Sequence, residues 1–323
     1  MTLYIFNPEN DMALADGHPG YTPPAQIQQM RRELWWLPEW WAEEGDIVWN
    51  GEDHLSLPPN THIEPWGWSP ALRHQLNVAG VQESLLPSGE EIDQIRQLSH
   101  RRTAVTCLQE LREQTSLDGH FAGNTTLCQS IEEVKEAINK CGEAILKSPW
   151  SSSGRGIKHL SCNRLSEGDE GWIQRILRQQ GSIVVEQFLH KVADFALEFR
   201  LDGKGGVEYC GLSLFYTNEQ GAYLGNWVAP EGQKLAWLAG YIPLPCLQEI
   251  RRWWEERLKK ICYKGPVGID MMLAQEGICP CIEINWRMTM GLISCMAAGQ
   301  GRYGRMVVEY IYGHYSAEIE PFG

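Results

Sequence analysis

The 323-residue sequence lacks the features that mark several specialised classes of protein. It contains no run of about 18 apolar residues, the length that a membrane-spanning helix needs. Residues 1–7 have no basic segment and too short an apolar stretch for a signal peptide. Internal repeats and low-complexity tracts are also absent. We therefore expect a globular protein that does not associate with membranes.

Positive charge is scarce, since the sequence has 28 Lys and Arg against 41 Asp and Glu and a formal net charge of −13 at pH 7. Nucleic acids and anionic membranes bind broad positive patches, so we expect neither as a partner. The ten cysteines are scattered, and the close pair Cys279 and Cys281 has no second pair to complete a zinc site. We expect free thiols in a reducing cytoplasm.

A length of 323 residues with 43% hydrophobic residues predicts two or three packed subdomains. Residues 3–6 are predicted to form a buried strand that leads into a polar turn, a typical start of an α/β domain. Three side chains of that turn, Asn7, Asn10 and Asp11, either line a substrate cleft at the carboxyl end of the strand or cap the turn itself. The tryptophans at 35, 36, 40 and 41 are expected to pack rather than to bind ligand.

The predicted organisation is a small N-terminal α/β domain over 1–100, a second unit over 101–190 and a third over 191–323. Apolar residues at three- and four-residue steps predict a helix over 101–113, and we also expect helices over 170–180 and 247–262 and a last helix over 300–312. On a predicted strand over 194–201, Phe195, Leu197 and Phe199 alternate with polar residues on the opposite face.

Three oxygen-bearing side chains interrupt two apolar stretches near the C-terminal end. Asp270 lies in the first stretch, Glu283 and Asn285 end the second, and a turn at Gly277 separates them. Glu283 and Asn285 share a strand face, and antiparallel pairing would bring Asp270 to the same patch. Two carboxylates and a carboxamide suit a hard ion such as Mg2+, although a hairpin with solvated acids would have the same pattern.

A predicted strand over 143–149 contains Lys147 near its end and continues into a loop of small residues. The backbone N–H groups of such a loop can fold over anionic oxygens, and Lys147 and Arg155 supply positive charge. The loop is not a P-loop, because the lysine precedes the glycines. A mobile turn with a solvated lysine is the alternative. The loop residues are Ser151, Ser152, Ser153, Gly154, Arg155 and Gly156.

Taken in order, the elements over about 101–312, two thirds of the chain, resemble the ATP-grasp superfamily. The matching elements are the lysine with its Ser/Gly loop (147–156), a Val-Val-Glu-Gln-Phe-Leu hinge with a later acid (184–194), Gly-x-Asp (268–270) and Glu-x-Asn-x-Arg (283–287). The resemblance implies an α/β (α+β) fold in which ATP lies between two subdomains.

The resemblance also implies roles in binding ATP. Lys147 would contact the α- and β-phosphates, and the Ser/Gly loop would close over them as a lid. Glu186 would accept from the adenine amino group or its supporting network, and Asp194 would hold the ribose hydroxyls. The backbone along the adenine edge would be that of Gln187, Phe188 and Leu189. Two Mg2+ ions bridging the phosphates would be bound by Asp270, Glu283 and Asn285.

Two positions depart from the family pattern. The family has a nucleotide-binding lysine at the start of the first helix, where this chain has Arg101, which supplies charge with a different geometry. Dipeptide-ligase relatives have an arginine where this chain has Gly268. Arg287 or Arg200 could instead stabilise the transferring phosphate.

The implied function is an ATP- and Mg-dependent, ADP-forming carboxylate–amine (or thiol) ligase that works through an acyl phosphate. Its substrates would be small-molecule or peptide carboxylates and amines, and the sequence does not identify them. The alternatives are a small-molecule kinase and a nucleotide-binding regulatory protein without turnover. A turn over 288–291, if it opens a helix, could receive a substrate carboxylate.

Overall fold

The computed structural model describes residues 1–150, 156–161, 164–218 and 223–321. The helices within these ranges are α1 (Asn10–Asp16), α2 (Ala25–Leu34), α3 (Pro70–Val78), α4 (Gly89–Leu98), α5 (Arg102–Gln114), α6 (Ile131–Cys141), α7 (Glu167–Gln180), α8 (Glu231–Leu238), α9 (Leu244–Leu258) and α10 (Met290–Gly299). The strands are β1 (Thr2–Ile5), β2 (Ile47–Val48), β3 (His62–Pro65), β4 (Thr125–Cys128), β5 (Ala144–Lys147), β6 (Ile157–Leu160), β7 (Ile183–Gln187), β8 (Lys191–Asp202), β9 (Val207–Thr217), β10 (Tyr223–Val228), β11 (Lys264–Ala274), β12 (Gly277–Asn285), β13 (Gly304–Ile311) and β14 (His314–Glu320).

The N-terminal strands form a parallel sheet of order β2-β1-β3. Tyr4 pairs with Val48 on one side and with Glu64 on the other. Parallel neighbours need long crossover connections, and α1 and α2 lie in the first of them. The predicted α/β start is confirmed, and the turn after β1 lies at the carboxyl ends of the strands.

A four-stranded antiparallel sheet of order β4-β7-β5-β6 follows. One core, which includes Val134 and Ile138 of α6, Ile173 of α7, Leu146 and Val185, joins the two helices to the sheet. Lys147 is the last residue of β5 and pairs with Val184 of β7.

The largest sheet is antiparallel, with the order β12-β11-β8-β9-β10-β13-β14. Phe195, Leu197 and Phe199 are buried on one face against the core that contains Trp254 of α9. The predicted alternation on β8 is therefore confirmed. The opposite face of this large sheet carries the polar residues of the candidate site.

The predicted hairpin of the third unit is present. In the register of β11 and β12, Asp270 faces Glu283 and Gly268 faces Asn285. Gly277 has a φ of +141°, and a Cβ there would lie 2.7 Å from the carbonyl oxygen of His120, so only glycine fits this turn.

The predicted helix over 300–312 is wrong, because this segment forms β13 and pairs with β10 and β14. Val307 and Val308 are β-branched and favour a strand. The turn to β14 uses Tyr312 and Gly313, whose φ values of +51° and +87° are those of a tight hairpin turn.

The remaining differences are local. α1 was not predicted, and α2 ends at Leu34, before a 3-10 turn over Leu37–Trp40. Trp36 and Trp40 pack against a core, as predicted. The division of the chain near residues 100 and 190 stays a prediction. In the ranges that the structure covers, no helix is long and apolar enough to cross a membrane.

Candidate active site

The three predicted metal ligands lie together on the polar face of the large sheet. Asp270 and Glu283 are directly opposite each other on β11 and β12. Asn285 is opposite Gly268 and therefore diagonal to Asp270, and its Nδ2 donates to Asp270 Oδ2 at 3.0 Å. The register is irregular between Asp270 and Met272, a bulge of the kind that often re-aims side chains beside a functional site.

The negative charge of the acids in this patch is only partly compensated by the groups around them. Burial raises the pKa of Asp270, and the neighbouring charges of Glu283 and Glu198 raise it further, to about 8. The hydrogen bond from Asn285 and the charge of Arg287 only partly oppose this rise. A cation would relieve the repulsion between the acids.

The donor set fits a hard cation. Two carboxylates and one carboxamide supply only oxygen ligands, which Mg2+ prefers, and Mg2+ commonly takes its remaining ligands from water and phosphate. No group of three or more His, Cys, Asp and Glu side chains with metal-binding geometry occurs in the described ranges, so this patch depends on its carboxamide. The Asn285 oxygen accepts from Arg287 Nη2 at 3.0 Å, and a metal would compete with that bond.

Arg101 joins the metal patch to the four-stranded sheet. Its Nη2 lies 3.0 Å from Glu283 Oε1, and its Nε donates to the carbonyl oxygen of Ser148 at 3.1 Å. The side chain of Arg101 is only 5% exposed. The guanidinium thus holds a candidate metal ligand beside the strand end that carries Lys147.

Lys147 and Glu186 form an ion pair across β5 and β7, with 2.6 Å between Nζ and Oε2. Their side chains are 8% and 13% exposed. A cavity of about 10 Å3, lined by residues that include Arg101, Glu186 and Ile282, lies next to this pair. Such a volume holds about one water molecule.

The predicted hinge leaves β7 and leads into β8. Phe188 stacks on His159 with 4.7 Å between ring centroids, and Leu189 is buried. Gln187 accepts from Asn124 Nδ2 at 3.3 Å. These contacts fix the hinge between the four-stranded sheet and the large sheet.

Asp194 lies on the same face of the large sheet as Asp270, since Ala196 is the partner of Asp270. Its carboxylate accepts from Lys191 Nζ and from Thr217 Oγ1, each at 2.7 Å. The predicted ribose ligand is therefore near the hinge and the metal patch, held by a lysine that sequence reasoning had not singled out.

Arg287 reaches from the end of β12 to the N-terminal turn. Its Nε and Nη2 donate to both carboxylate oxygens of Asp11, at 2.7–3.0 Å. Burial lowers the pKa of Arg287, but the charge and hydrogen bonds of Asp11 outweigh burial and raise it. Of the polar turn residues, Asp11 thus faces the site, whereas Asn7 bonds to the backbone of Gly67.

Arg200 is not part of the metal patch. Its Nη1 donates to Glu64 Oε2 of β3 at 2.8 Å. The pair is a second link between the parallel sheet and the large sheet. Neither link could be predicted from a local sequence pattern, because the partners lie 276 and 136 residues apart.

Glu198 fills the space beside Gly268 and explains one departure from the family pattern. A Cβ at Gly268 would lie 2.8 Å from Glu198 Oε2 and 2.7 Å from Thr289 Cγ2, so an arginine there would have to displace both of these buried side chains. Glu198 accepts from Thr289 Oγ1 at 2.8 Å and from Ser213 Oγ at 3.1 Å. Burial raises the pKa of this carboxyl to about 7.

Thr289 also caps α10, where its Oγ1 accepts from Leu292 N at 2.9 Å. The predicted helix after the 288–291 turn is therefore present, with its first turn capped from within the chain. The predicted lid residues Ser151, Ser152, Ser153, Gly154 and Arg155 lie outside the described residues. Gly156 is described, and its carbonyl oxygen accepts from Ser148 N at 2.9 Å.

No protein-family model and no curated protein sequence matches the chain. Solved structures do match. A biotin carboxylase–βγ-ATP complex from Campylobacter jejuni matches with a TM-score of 0.54 and 13% identity, over 91% of this chain and 67% of that one. A phosphoribosylamine–glycine ligase from Thermotoga maritima matches with a TM-score of 0.53 and 16% identity, over 97% and 81%.

An N5-carboxyaminoimidazole synthetase from Staphylococcus aureus, complexed with ADP, matches with a TM-score of 0.50 and 14% identity, over 96% of this chain and 82% of that one. This chain has the ATP-grasp fold. At these identities the likeness is one of fold. Within the ATP-grasp fold of this chain, the large sheet carries the acidic patch and the four-stranded sheet carries Lys147.

Proposed function

We propose that the protein is an ATP- and Mg-dependent ligase that joins a carboxylate to an amine or a similar nucleophile through an acyl phosphate. The observation that carries the proposal is the juxtaposition of Asp270, Glu283 and Asn285 on one sheet face, linked through Arg101 to the strand end that carries Lys147. The ADP complex of the Staphylococcus aureus synthetase supports a nucleotide in this fold.

In the proposed reaction, a substrate carboxylate attacks the γ-phosphorus of ATP and ADP leaves. The nucleophile then attacks the acyl carbon, the carbon–oxygen bond to phosphate breaks and inorganic phosphate leaves. Lys147 would bind the α- and β-phosphates once its bond to Glu186 opens. Arg287, which lies beside the metal patch, would stabilise the transferring phosphate in preference to Arg200, which pairs with Glu64. When bound at the acidic patch, two Mg2+ ions would offset phosphate charge.

The other nucleotide contacts remain those that the family resemblance implies. Glu186 and the backbone over 187–189 would bind adenine, Asp194 would bind ribose, and the loop over 151–156 would close as a lid that keeps water from the acyl phosphate. The nine described cysteines are free, which fits the proposed cytoplasmic location.

The test is a screen for ADP release over pools of amino acids and small carboxylates, with mass spectrometry of every product. A ligase yields ADP, inorganic phosphate and a condensed product. ADP together with a phosphorylated small molecule and no condensed product would show that the protein is a kinase and not a ligase. Saturable ATP binding without ADP release in any pool would show that the protein binds nucleotide without turnover.

A further inference from the structure

The turn that carries Asp11 is held in place by side chains other than Asp11. Asn7 is fully buried, and its Nδ2 donates to the carbonyl oxygen of Gly67 at 2.9 Å. The Asn10 side chain, with its amide turned to donate, lies 2.9 Å from the same oxygen. A Cβ at Gly67 would lie 2.4 Å from the Asn10 side-chain amide. Glu9 adds a buried ion pair with Arg31 at 2.5 Å.

The segment that carries Arg287 is anchored to the same stretch of chain. The backbone N–H of Met288 donates to the carbonyl oxygen of Trp66 at 2.8 Å, next to Gly67. The Asp11 and Arg287 backbones are therefore positioned by contacts that involve neither charge. The ion pair is not needed to hold the two segments together.

The pair keeps more contact with solvent than the Lys147–Glu186 pair does. The side chains of Arg287 and Asp11 are 18% and 23% exposed, whereas those of Lys147 and Glu186 are 8% and 13% exposed. Arg287 also bonds to Asn285, so the pair lies immediately beside the metal patch. A prepositioned, accessible pair of opposite charges at this place is suited to receive a ligand.

We infer that the Asp11–Arg287 pair binds one of the ligase substrates, a zwitterionic α-amino acid, with its carboxylate on Arg287 and its ammonium on Asp11. Such a ligand replaces one ion pair by two, so no charge loses its partner. A ligand with a carboxylate alone would leave Asp11 without its counter-charge, and an amine alone would leave Arg287 without its own. Removing one partner from a partly buried pair is costly, so the zwitterion is preferred.

This inference rests on the proposed ligase function, since it names the class of one substrate. Its test measures binding rather than turnover, so the two can fail separately. Calorimetry on the full chain would measure the affinity for each standard L-amino acid. For the tightest binder, the matching amine without the carboxylate and the matching carboxylic acid without the amine would follow.

We expect each single-charge analogue to bind at least about tenfold more weakly than the amino acid, because each loses a charge-assisted contact. The Asp11→Asn variant should bind the amino acid about tenfold more weakly and discriminate less against the carboxylic acid. The matched control is Asp16→Asn, an exposed acid at the other end of α1, which should leave these affinities unchanged.

Failure of every amino acid to bind the unaltered protein would overturn the inference, as would equal affinities for the amino acid and its single-charge analogues. These comparisons need no variant and stand even if Asp11→Asn does not fold. A folded Asp11→Asn variant with unchanged discrimination would also overturn the assignment of the ammonium to Asp11. ADP release with a non-zwitterionic substrate pair would leave the ligase proposal intact.

Discussion

The large sheet and the four-stranded sheet differ in how their charges are balanced. On the four-stranded sheet, Lys147 is matched by Glu186 at 2.6 Å in a largely buried pair. On the polar face of the large sheet, Asp270 has a pKa of about 8, raised by burial and by the charges of Glu283 and Glu198. Under the proposed function, the surplus of acid would receive a cation, and the balanced pair would have to open before Lys147 could contact phosphate.

The largest expected effect comes from removing the surplus acid. With the substrates that the ADP-release screen identifies, we expect Asp270→Asn and Glu283→Gln each to lower turnover about a thousandfold, because metal stabilisation of phosphoryl transfer is worth several kcal/mol. Asp270→Asn should not destabilise the fold, since it removes an acid that burial and neighbouring acids disfavour as an anion. Steady-state rates and thermal unfolding measure the two effects.

The matched control for these variants is Glu276→Gln. Glu276 lies in the turn of the same hairpin and bonds to His190 outside the acidic patch. Its replacement should leave turnover within about twofold, as expected for an exposed surface position. Full Mg-dependent turnover in Asp270→Asn would show that the acidic patch does not hold the metal.

A smaller effect concerns pH and Glu198. Its carboxyl has a pKa of about 7 in the folded protein against 4.5 for an ordinary glutamate, because it is buried. Between these values the folded state keeps a proton that the unfolded state has lost, so stability falls as pH rises through this window. The contribution is complete below about 4.5 and absent above about 7, and the fall amounts to about 3 kcal/mol at most.

The variant Glu198→Gln keeps the shape of the side chain without the proton equilibrium. We expect the free energy of unfolding of the unaltered protein to decline relative to this variant between pH 5 and pH 8, measured by urea denaturation. Lys234 and Arg287 also face Glu198 and keep their charge in both proteins, whereas the variant also removes the charge that raises the pKa of Asp270, so the difference reports the coupled titration of Glu198 and Asp270. Parallel stability curves would contradict the raised pKa.

The sequence was most informative where local pattern determines structure. The β11–β12 hairpin follows from alternation and from the glycine turn, and it brings Asp270 to the same patch as Glu283 and Asn285, as predicted. The segment over 300–312 was misjudged because its apolar residues suit a helix by spacing, whereas its strand is fixed by pairing with β10, about 80 residues earlier in the chain.

The partners of the charged residues were beyond sequence reasoning for a similar reason. Nothing near Arg287 in the sequence indicates Asp11, and nothing near Lys147 indicates that Glu186 would form an ion pair with it. Each pair depends on how sheets pack rather than on a local motif. The residue types at the candidate site could thus be identified from sequence, but their present bonding could not.

The most direct test of the account is the affinity for ATP with Mg2+ and with EDTA, measured by calorimetry on the unaltered protein and on the variants Asp270→Asn and Lys147→Gln. We expect Mg2+ to tighten ATP binding about tenfold or more in the unaltered protein. Asp270→Asn should lose that gain, and Lys147→Gln should weaken binding in both solutions. Equal affinity with Mg2+ and EDTA in the unaltered protein, or the full gain in Asp270→Asn, would contradict the account.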